Sequence, residues 1–267
     1  MIKTPPIAGM AGAFSVAGKN VVVTGGNRGI GNGIATAFAE SGANVVILCR
    51  NKESGDEAVK ALEPNGGKYT CFPCDIAEFK SVEAAAEKVF EFFDSVDVLI
   101  NNAGVATTTD FFQDENLSEW HRVIDTDLNG VANVTHAIVP KMRDAGKGGT
   151  IVNISSVGAI RVSNAKNHHN TPYHSAKAGV DIFTKYMAVT LGDYGIRVNA
   201  IAPGPTHSDL DKDLPPNAIE MVEQTLPTHR FGEPIEIGAL CVFFASPAGS
   251  QLTGVIVSHD GGLTCIT

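Results

Sequence analysis

Short apolar runs alternate with longer amphipathic stretches along almost the whole chain. The runs are rich in valine and isoleucine and predict seven strands, at 19–24, 44–48, 69–73, 97–100, 149–154, 196–201 and 254–258. Apolar residues at helical spacing predict helices near 30–41, 53–62, 78–93, 117–143, 174–193 and 234–245. Strands that lack polar alternation are typical of a parallel sheet covered on both faces. The pattern therefore predicts an α/β fold, with a Rossmann-like, doubly wound sheet of parallel strands flanked by helices.

One folded unit accounts for this pattern. The 267-residue chain shows no internal repeat, low-complexity tract or linker, and we predict an N-terminal arm at 1–18 and a single Rossmann-fold domain at 19–267. The least regular segments, 157–172 and 204–233, follow strands at the edge where such sheets bind ligands. Loops in that place usually carry specificity, so 204–233 is predicted to be the substrate loop.

Charge and composition narrow the class of partner. The formal net charge of −9 at pH 7 argues against nucleic acid or an anionic membrane surface as the main partner. No apolar run approaches the roughly 20 residues that span a bilayer, and the N-terminal stretch lacks the continuous apolar core of a signal peptide. We therefore expect a cytoplasmic protein that binds small molecules, with no nucleic-acid or membrane partner.

The cysteines indicate a reducing compartment and no metal. There are five, an odd number, and they are scattered along the chain. Cys71 and Cys74 form a C-x-x-C pair, but this pair lies in a predicted strand and not at the start of a helix, where redox-active pairs lie. No second pair follows at zinc-ligand spacing. We interpret both cysteines as core residues and predict no metal site.

A glycine-rich turn, TGGNRGIG at Thr24–Gly31, joins the first strand to the first predicted helix. Glycine lets backbone N–H groups approach a ligand closely, and a helix N-terminus offers free donors and a partial positive charge. A diphosphate is therefore the expected guest. Gly25, Gly29 and Gly31 follow the spacing G-x-x-x-G-x-G, which differs from the commonest dinucleotide fingerprint. The Lys-Ser/Thr ending of an ATP-binding P-loop is missing, which disfavours a kinase or ATPase.

The end of the second strand selects among dinucleotides. A fold that prefers NAD usually places a carboxylate there for the ribose 2′-hydroxyl, whereas this chain has Cys49 followed by Arg50. A guanidinium group holds a 2′-phosphate by paired charged hydrogen bonds, and a carboxylate would repel it. Arg28, inside the glycine turn, is placed to approach the same phosphate. These residues predict NADP as the cofactor, and the alternative is two solvated arginines at loop edges.

A tyrosine and a lysine share one face of the helix that follows the fifth strand. Tyr173 and Lys177 are four residues apart, the spacing of neighbours on a helix surface. An ammonium group beside a phenol favours the phenolate, which gives a group able to donate and accept a proton near neutral pH. Ser155 and Ser156 end the fifth strand at the same edge, where a hydroxyl could hydrogen-bond a substrate oxygen.

Together these motifs resemble the classical short-chain dehydrogenase/reductase family over nearly the whole chain. The glycine turn matches that family's TGxxxGxG, Asn101–Gly104 matches its NNAG, and Pro203–Gly204 matches the turn that borders the nicotinamide. The resemblance implies that Ser156, Tyr173 and Lys177 are catalytic. It implies that the cofactor is held by Tyr173 and Lys177 together with Gly25, Asn27, Arg28, Gly29, Ile30, Gly31, Arg50, Asn51, Asp75, Ile76, Asn102, Ala103, Gly104, Pro203, Gly204 and Thr206.

Two features depart from the family's pattern. The family commonly has a catalytic asparagine in the fourth helix, where the sequence TDLNG places Asp127, and we assign Asp127 to the catalytic group. The interval between Ser156 and Tyr173 carries extra residues, SNAKNHHN, which are predicted to alter the substrate mouth. His168 and His169 lie in this insert and are interpreted as part of a surface loop, because adjacent residues seldom bind one metal.

The resemblance implies an oxidoreductase that transfers a hydride between NADP(H) and a secondary alcohol or ketone. The DLNG variant, the opening FSVAGKNVVVTGG and the closing DGGLTC resemble NADP-dependent ketose and polyol dehydrogenases, so a polyol or ketose is the predicted substrate. Bacterial hydroxysteroid dehydrogenases share every catalytic motif and are the alternative. An alternative of another class is a non-catalytic NADP-sensing regulator, which would have no need of an activated tyrosine. The family also implies a homotetramer.

Overall fold

A seven-stranded parallel sheet forms the centre of the computed structural model, which describes residues 9–162, 170–208 and 216–266. The strands are β1 (Asn20–Thr24), β2 (Asn44–Cys49), β3 (Tyr69–Pro73), β4 (Val98–Asn101), β5 (Gly149–Ile154), β6 (Ile196–Pro203) and β7 (Ile256–His259). They pair in the order β3-β2-β1-β4-β5-β6-β7, and every pair is parallel. The order reverses between β1 and β4, the switch point at which doubly wound sheets bind ligands. The predicted fold class is confirmed.

Helices cover both faces of this sheet. They are α1 (Gly9–Ala13), α2 (Gly29–Glu40), α3 (Lys52–Leu62), α4 (Phe79–Phe92), α5 (Ser118–Ile124), α6 (Gly130–Asp144), α7 (Thr171–Leu191), α8 (Pro216–Thr225) and α9 (Pro234–Ala245). In β1, Val21 and Val23 pack in the core beneath α2 and α9, whereas Val22 packs in the core beneath α4 and α6. Successive side chains of a strand point to opposite faces, so a strand covered on both sides is continuously apolar. Within the described ranges, no helix is both long and apolar enough to cross a membrane.

The helix predicted at 117–143 is confirmed in extent, because the chain is helical without a break from 118 to 144. Its interior is not uniformly α-helical, since α5 and α6 are joined by a π-helical turn at Asp125–Asn129. The backbone keeps right-handed helical angles through the junction, with φ −61° and ψ −43° at Ile124 and φ −61° and ψ −39° at Gly130. A π turn widens the helix by one residue, and such turns are frequent at functional sites. Here it carries Asp127.

Two further segments differ in local structure from the sequence-based expectation. The predicted arm contains the short helix α1, and Val16 just after it is only 1% exposed, so the end of the arm packs on the domain. The irregular segment 204–233 contains α8 at Pro216–Thr225. Residues 209–215 of that segment lie outside the described residues.

The strand cysteines are core residues, as predicted. Cys71 lies in β3 and Cys74 directly after it, and both are buried free thiols. Burial raises the pKa of Cys71 to about 12 and that of Cys74 to about 11, so neither is a ready thiolate. Cys49 at the end of β2 is also buried, and its Sγ donates to the carbonyl oxygen of Asn51 at 3.2 Å. At the end of β2, the position where NAD-binding folds usually have a carboxylate is therefore filled by the buried thiol of Cys49.

Candidate active site

The glycine turn between β1 and α2 depends on its glycines. Gly25 and Gly29 have φ angles of +66° and +52°, a region that glycine adopts at no steric cost. A Cβ atom built on Gly31 would lie 2.2 Å from the carbonyl oxygen of Gly25 and 2.5 Å from Asn102 Nδ2. The backbone at Gly31 therefore packs directly against Gly25 and Asn102, which a residue with a side chain could not do. The first N–H groups of α2 have no partner within the helix. This is the cradle that a diphosphate requires.

The NNAG segment after β4 fixes the glycine turn to the neighbouring strands. Asn102 Nδ2 donates to the carbonyl oxygen of Thr24 at 2.9 Å. The backbone N–H groups of Asn102 and Ala103 donate to Thr24 Oγ1 at 2.9 and 3.0 Å. Asn101 Nδ2 donates to Asn153 Oδ1 in β5 at 2.8 Å. Side-chain hydrogen bonds thus hold the ends of β1, β4 and β5 together beside the turn.

Two predicted cofactor residues, Asn27 and Asn51, meet at the first turn of α3. Asn51 Oδ1 accepts from the backbone N–H of Ser54 at 2.8 Å and caps the helix, while Asn27 Nδ2 donates to Ser54 Oγ at 2.9 Å. The exposed Arg28 and Arg50 are their neighbours in the chain, so both arginines lie at the edge shared by β1 and β2. Among the described residues, neither guanidinium group forms a hydrogen bond or an ion pair. Both are therefore available to an anionic ligand.

Two of the predicted cofactor residues, Asp75 and Ile76, follow β3. Asp75 is half-buried, and its Oδ1 accepts from the backbone N–H of Ala77 at 3.1 Å. Ile76 is 5% exposed, and Asn133 Nδ2 in α6 donates to its carbonyl oxygen at 3.0 Å. These hydrogen bonds hold the loop between β3 and α4 in place at the carboxyl edge of the sheet.

The predicted cofactor residues Pro203, Gly204 and Thr206 lie at the end of β6 and just after it. A Cβ atom on Gly204 would lie 2.8 Å from the Cα atom of Asp260, so this position requires glycine. Thr206 Oγ1 donates to the carbonyl oxygen of Gly204 at 3.0 Å, and Thr206 pairs with Gly232 through an isolated parallel bridge. The segment is thereby anchored on both sides at the ligand-binding edge.

The predicted catalytic residues lie at the carboxyl end of β5 and on α7. Ser156 caps a short 3₁₀ turn, and its Oγ accepts from the backbone N–H of Gly158 at 3.0 Å. The hydroxyl hydrogen of Ser156 is not used in that bond and can be donated to a ligand. Lys177 Nζ donates to the carbonyl oxygen of Ile154 at 3.0 Å and lies 5.4 Å from the ring centroid of Tyr173. The structure thus brings the lysine and the tyrosine together beside the strand that leads into Ser156.

Asp127 is fully buried in the π turn between α5 and α6. Its Oδ1 accepts from the backbone N–H of Val105 at 2.7 Å, and its Oδ2 lies 3.3 Å from Lys177 Nζ. Burial raises the pKa of Asp127, and the charge of Lys177 opposes that effect. A Cβ atom on Gly104 would lie 2.8 Å from Oδ2, so the NNAG glycine makes room for this carboxylate. Asp127 is the buried counterion of Lys177.

Two polar side chains beside this group carry no motif in the sequence. Asp181 lies one helical turn after Lys177, and burial raises its pKa. His174 follows Tyr173 directly, and burial lowers its pKa. The i, i+4 spacing places Asp181 on the same face of α7 as Lys177, so the sequence alone could have predicted that it lies near the site. Nothing in the sequence distinguishes His174 from an ordinary helix position.

The titratable side chains do not form a metal site in the part of the chain that the structure describes. No group of three or more His, Cys, Asp or Glu residues there could hold a metal ion. His168 and His169, the predicted surface-loop histidines, lie outside the described residues. The charged pair at the candidate site is the ammonium group of Lys177 with the carboxylate of Asp127.

The parallel sheet, the glycine cradle and the Ser–Tyr–Lys group define a nucleotide-dependent oxidoreductase of the Rossmann type. A family model described as "Enoyl-(Acyl carrier protein) reductase" matches residues 15–264. The chain belongs to the classical short-chain dehydrogenase/reductase family, as the resemblance of its motifs predicted.

Relatives with different substrates in their names are similarly close. A 3-oxoacyl-[acyl-carrier-protein] reductase, FabG, of Thermotoga maritima is 36% identical over 92% of this chain and 98% of its own. 3beta-hydroxysteroid dehydrogenase 1 of Eggerthella lenta is 35% identical over 92% of this chain and 94% of its own. Glucose 1-dehydrogenase 2 of Bacillus subtilis is 32% identical over 93% of this chain and 96% of its own.

Solved structures share the whole architecture. A short-chain type dehydrogenase/reductase from Mycobacterium marinum superposes with a TM-score of 0.91 at 31% identity, covering 97% of this chain and 100% of that chain. A Pseudomonas aeruginosa RhlG/NADP active-site complex superposes with a TM-score of 0.85 at 30% identity, covering 95% of this chain and 99% of that chain. The likeness therefore extends from β1 to β7.

Proposed function

We propose that this chain is an NADP(H)-dependent oxidoreductase that interconverts a secondary alcohol and a ketone, with a polyol or ketose as its substrate. Family membership makes it an oxidoreductase acting on CH–OH groups. The observation that carries the proposal is the approach of Lys177 Nζ to the Tyr173 ring, 5.4 Å from its centroid, at the edge where β5 leads into Ser156. A non-catalytic NADP sensor would have no use for that group.

The choice of NADP rests on the edge shared by β1 and β2. The glycine turn at Gly25–Gly31 suits a diphosphate, because it leads into the N-terminus of α2, whose first N–H groups have no partner within the helix. Arg28 and Arg50 are exposed and free of protein partners in the described part of the chain, which suits a 2′-phosphate. The structural neighbour RhlG is an NADP complex, which supports the same choice.

The side chains supply proton transfer and charge stabilisation. NADPH, when bound, provides the hydride that reduces the carbonyl carbon. The Tyr173 hydroxyl gives its proton to the carbonyl oxygen during reduction and takes it back during oxidation. Ser156 donates its hydroxyl hydrogen to the same oxygen and stabilises the developing negative charge. The Lys177 ammonium favours the phenolate left on Tyr173, and Asp127 holds that ammonium in place.

The substrate class is proposed from the resemblance to polyol dehydrogenases, and the relationship to glucose 1-dehydrogenase 2 supports it. The polar composition of the insert SNAKNHHN also suits a polyhydroxylated substrate. A specific observation favours a hydroxysteroid as second candidate. Ile160 and Val162, which follow the Ser156 turn, are 53% and 70% exposed, and an Eggerthella lenta hydroxysteroid dehydrogenase is a relative.

The proposal is tested by measuring the consumption of NADPH by the 267-residue chain with a panel of carbonyl compounds. The panel contains ketoses, oxo-steroids and a 3-oxoacyl thioester, each assayed with NADPH and with NADH. We expect the highest kcat/KM for a ketose with NADPH. The highest value for an oxo-steroid would support the second candidate. If the protein binds NADPH but reduces no carbonyl compound, the proposal is wrong and a sensor is favoured.

Assembly and location are part of the proposal. We infer a homotetramer built through α6, α7 and the C-terminal region, on the basis of the family resemblance. The outward face of α7 supports this, because Ile182, Tyr186 and Val189 are 65%, 69% and 86% exposed at helical spacing.

A cytoplasmic location is proposed from the unpaired cysteines, which suit a reducing compartment.

A further inference from the structure

His174 follows Tyr173 in α7, and its ring packs on the turn that holds Ser156. The two rings are consecutive in α7, with centroids 6.1 Å apart and planes at 72°. A Cβ atom built on Gly158 would lie 3.2 Å from His174 Cε1 and 3.3 Å from both ring nitrogens. The imidazole therefore occupies the space beside the Gly158 backbone that a larger residue would need.

Gly158 is in turn the residue that fixes the Ser156 side chain. Its backbone N–H donates to Ser156 Oγ at 3.0 Å. The His174 ring packs beside the same Gly158 backbone, as the distances from its Cβ position show. Gly158 is thus held between Ser156 on one side and the first turn of α7 on the other.

We propose that His174 is a positioning residue that fixes Ser156 relative to Tyr173. The inference rests on the proposed function and concerns the same reaction. Ser156 and Tyr173 must reach one substrate oxygen, yet they belong to separate elements, the turn after β5 and the helix α7. Residues 163–169 between these elements lie outside the described residues. Contact between His174 and Gly158 joins the two elements across space, so the distance between the serine and the tyrosine does not depend on the connecting chain.

A steady-state comparison separates positioning from simple packing. His174→Ala removes the ring, and we expect kcat to fall about tenfold while KM for NADPH stays unchanged, because misplacing a catalytic group by a fraction of an ångström is costly. His174→Phe restores a ring of similar breadth and should recover most of kcat. Gly158→Ala pushes a methyl group against the ring and should lower kcat as well. His136→Ala, whose ring packs against Phe79 on α4, is the matched control and should keep kcat.

A double-mutant cycle with Ser156→Ala locates the effect. If His174 acts through Ser156, His174→Ala lowers single-turnover rates in the wild-type background and has no further effect when Ser156 is already alanine. Additive losses would overturn the proposal. So would a lowered Tm with unchanged kcat, since that result assigns His174 to packing alone.

Hydrogen exchange gives a readout that needs no turnover. In His174→Ala, a peptide covering residues 156–160 should exchange faster than in wild type. The hydrogen bond from the Gly158 N–H to Ser156 Oγ should open more often, because the His174 ring no longer packs against Gly158. Peptides from α4 should be unchanged. Unchanged exchange at 156–160 would overturn the positioning role. If wild type reduces no carbonyl, the proposed function fails separately, and this exchange measurement still decides whether His174 holds the turn.

Discussion

Lys177 is a charged side chain that is only 3% exposed, and three groups define its surroundings. Its Nζ donates to the Ile154 carbonyl oxygen, pairs with Asp127 and lies against the Tyr173 ring. Burying an ammonium costs several kcal/mol unless a partner offsets the loss of water, and breaking such a pair costs about 3–5 kcal/mol. Asp127 therefore stabilises the buried Lys177, and it also holds the Lys177 ammonium charge close to the Tyr173 ring.

Substitutions of Asp127 separate these two contributions. Asp127→Asn keeps an acceptor for the Val105 N–H but removes the negative charge. We expect a folded, active enzyme whose pH profile for alcohol oxidation is displaced to higher pH, because the Lys177 ammonium loses the anion that holds it beside the Tyr173 ring. Asp127→Leu leaves Lys177 unpaired and should lose much more activity. If the leucine variant matches wild type across the pH range, Asp127 has no part in proton transfer.

Arg28 and Arg50 carry the predicted preference for NADPH. Loss of a charged hydrogen bond to phosphate is worth about 1.5–3 kcal/mol, or roughly 10- to 100-fold in affinity. Arg50→Ala and Arg28→Ala should therefore lower kcat/KM for NADPH by roughly that factor and leave the value for NADH nearly unchanged. Arg143→Ala, an exposed arginine on α6 paired with Asp144, is the control. A wild-type kcat/KM for NADH that equals or exceeds the value for NADPH would contradict the assignment.

At the scale of elements, the turn between β1 and α2 is the least tolerant of change. Gly31→Ala would place a methyl group 2.2 Å from the Gly25 carbonyl oxygen, so the turn must open. We expect destabilisation of at least about 2 kcal/mol together with loss of NADPH binding, measured by urea unfolding and by cofactor fluorescence. Gly192→Ala is the control, since a Cβ atom there meets nothing within 4 Å. Normal NADPH affinity in Gly31→Ala would show that the turn is not the cofactor cradle.

The elements divide into those the sequence could predict and those it could not. Buried parallel strands such as β1 and β2 appear directly as apolar runs, and the Tyr173–Lys177 spacing fixes a shared helix face. The π turn around Asp127 was missed because one wider turn leaves the amphipathic pattern over 117–143 nearly unchanged. The contact of His174 with Gly158 joins residues from two elements, and the spacing within α7 carries no trace of it.

At the scale of the whole molecule, the exposed apolar residues on α7 bear on assembly. Val189 is 86% exposed on the side of α7 away from the sheet, where a single chain gains nothing from a large apolar residue. We expect Val189→Arg to shift the protein from tetramer to smaller species in sedimentation equilibrium. Met221→Arg on α8, a residue 64% exposed, should leave the distribution unchanged. A wild-type protein that sediments as a monomer would contradict the predicted tetramer.

The central claim is that Tyr173 transfers the proton, while the glycine turn and the neighbouring segments at the carboxyl edge of the sheet bind the cofactor. The most direct measurement pairs single-turnover NADPH oxidation with NADPH binding in Tyr173→Phe, using the best ketone of the carbonyl panel. Loss of a general acid is worth about 10²–10⁴ in rate, so turnover should fall by at least a hundredfold while the Kd for NADPH stays near the wild-type value. Retention of more than about a tenth of the wild-type rate would contradict the account, because general acid catalysis is worth more than that.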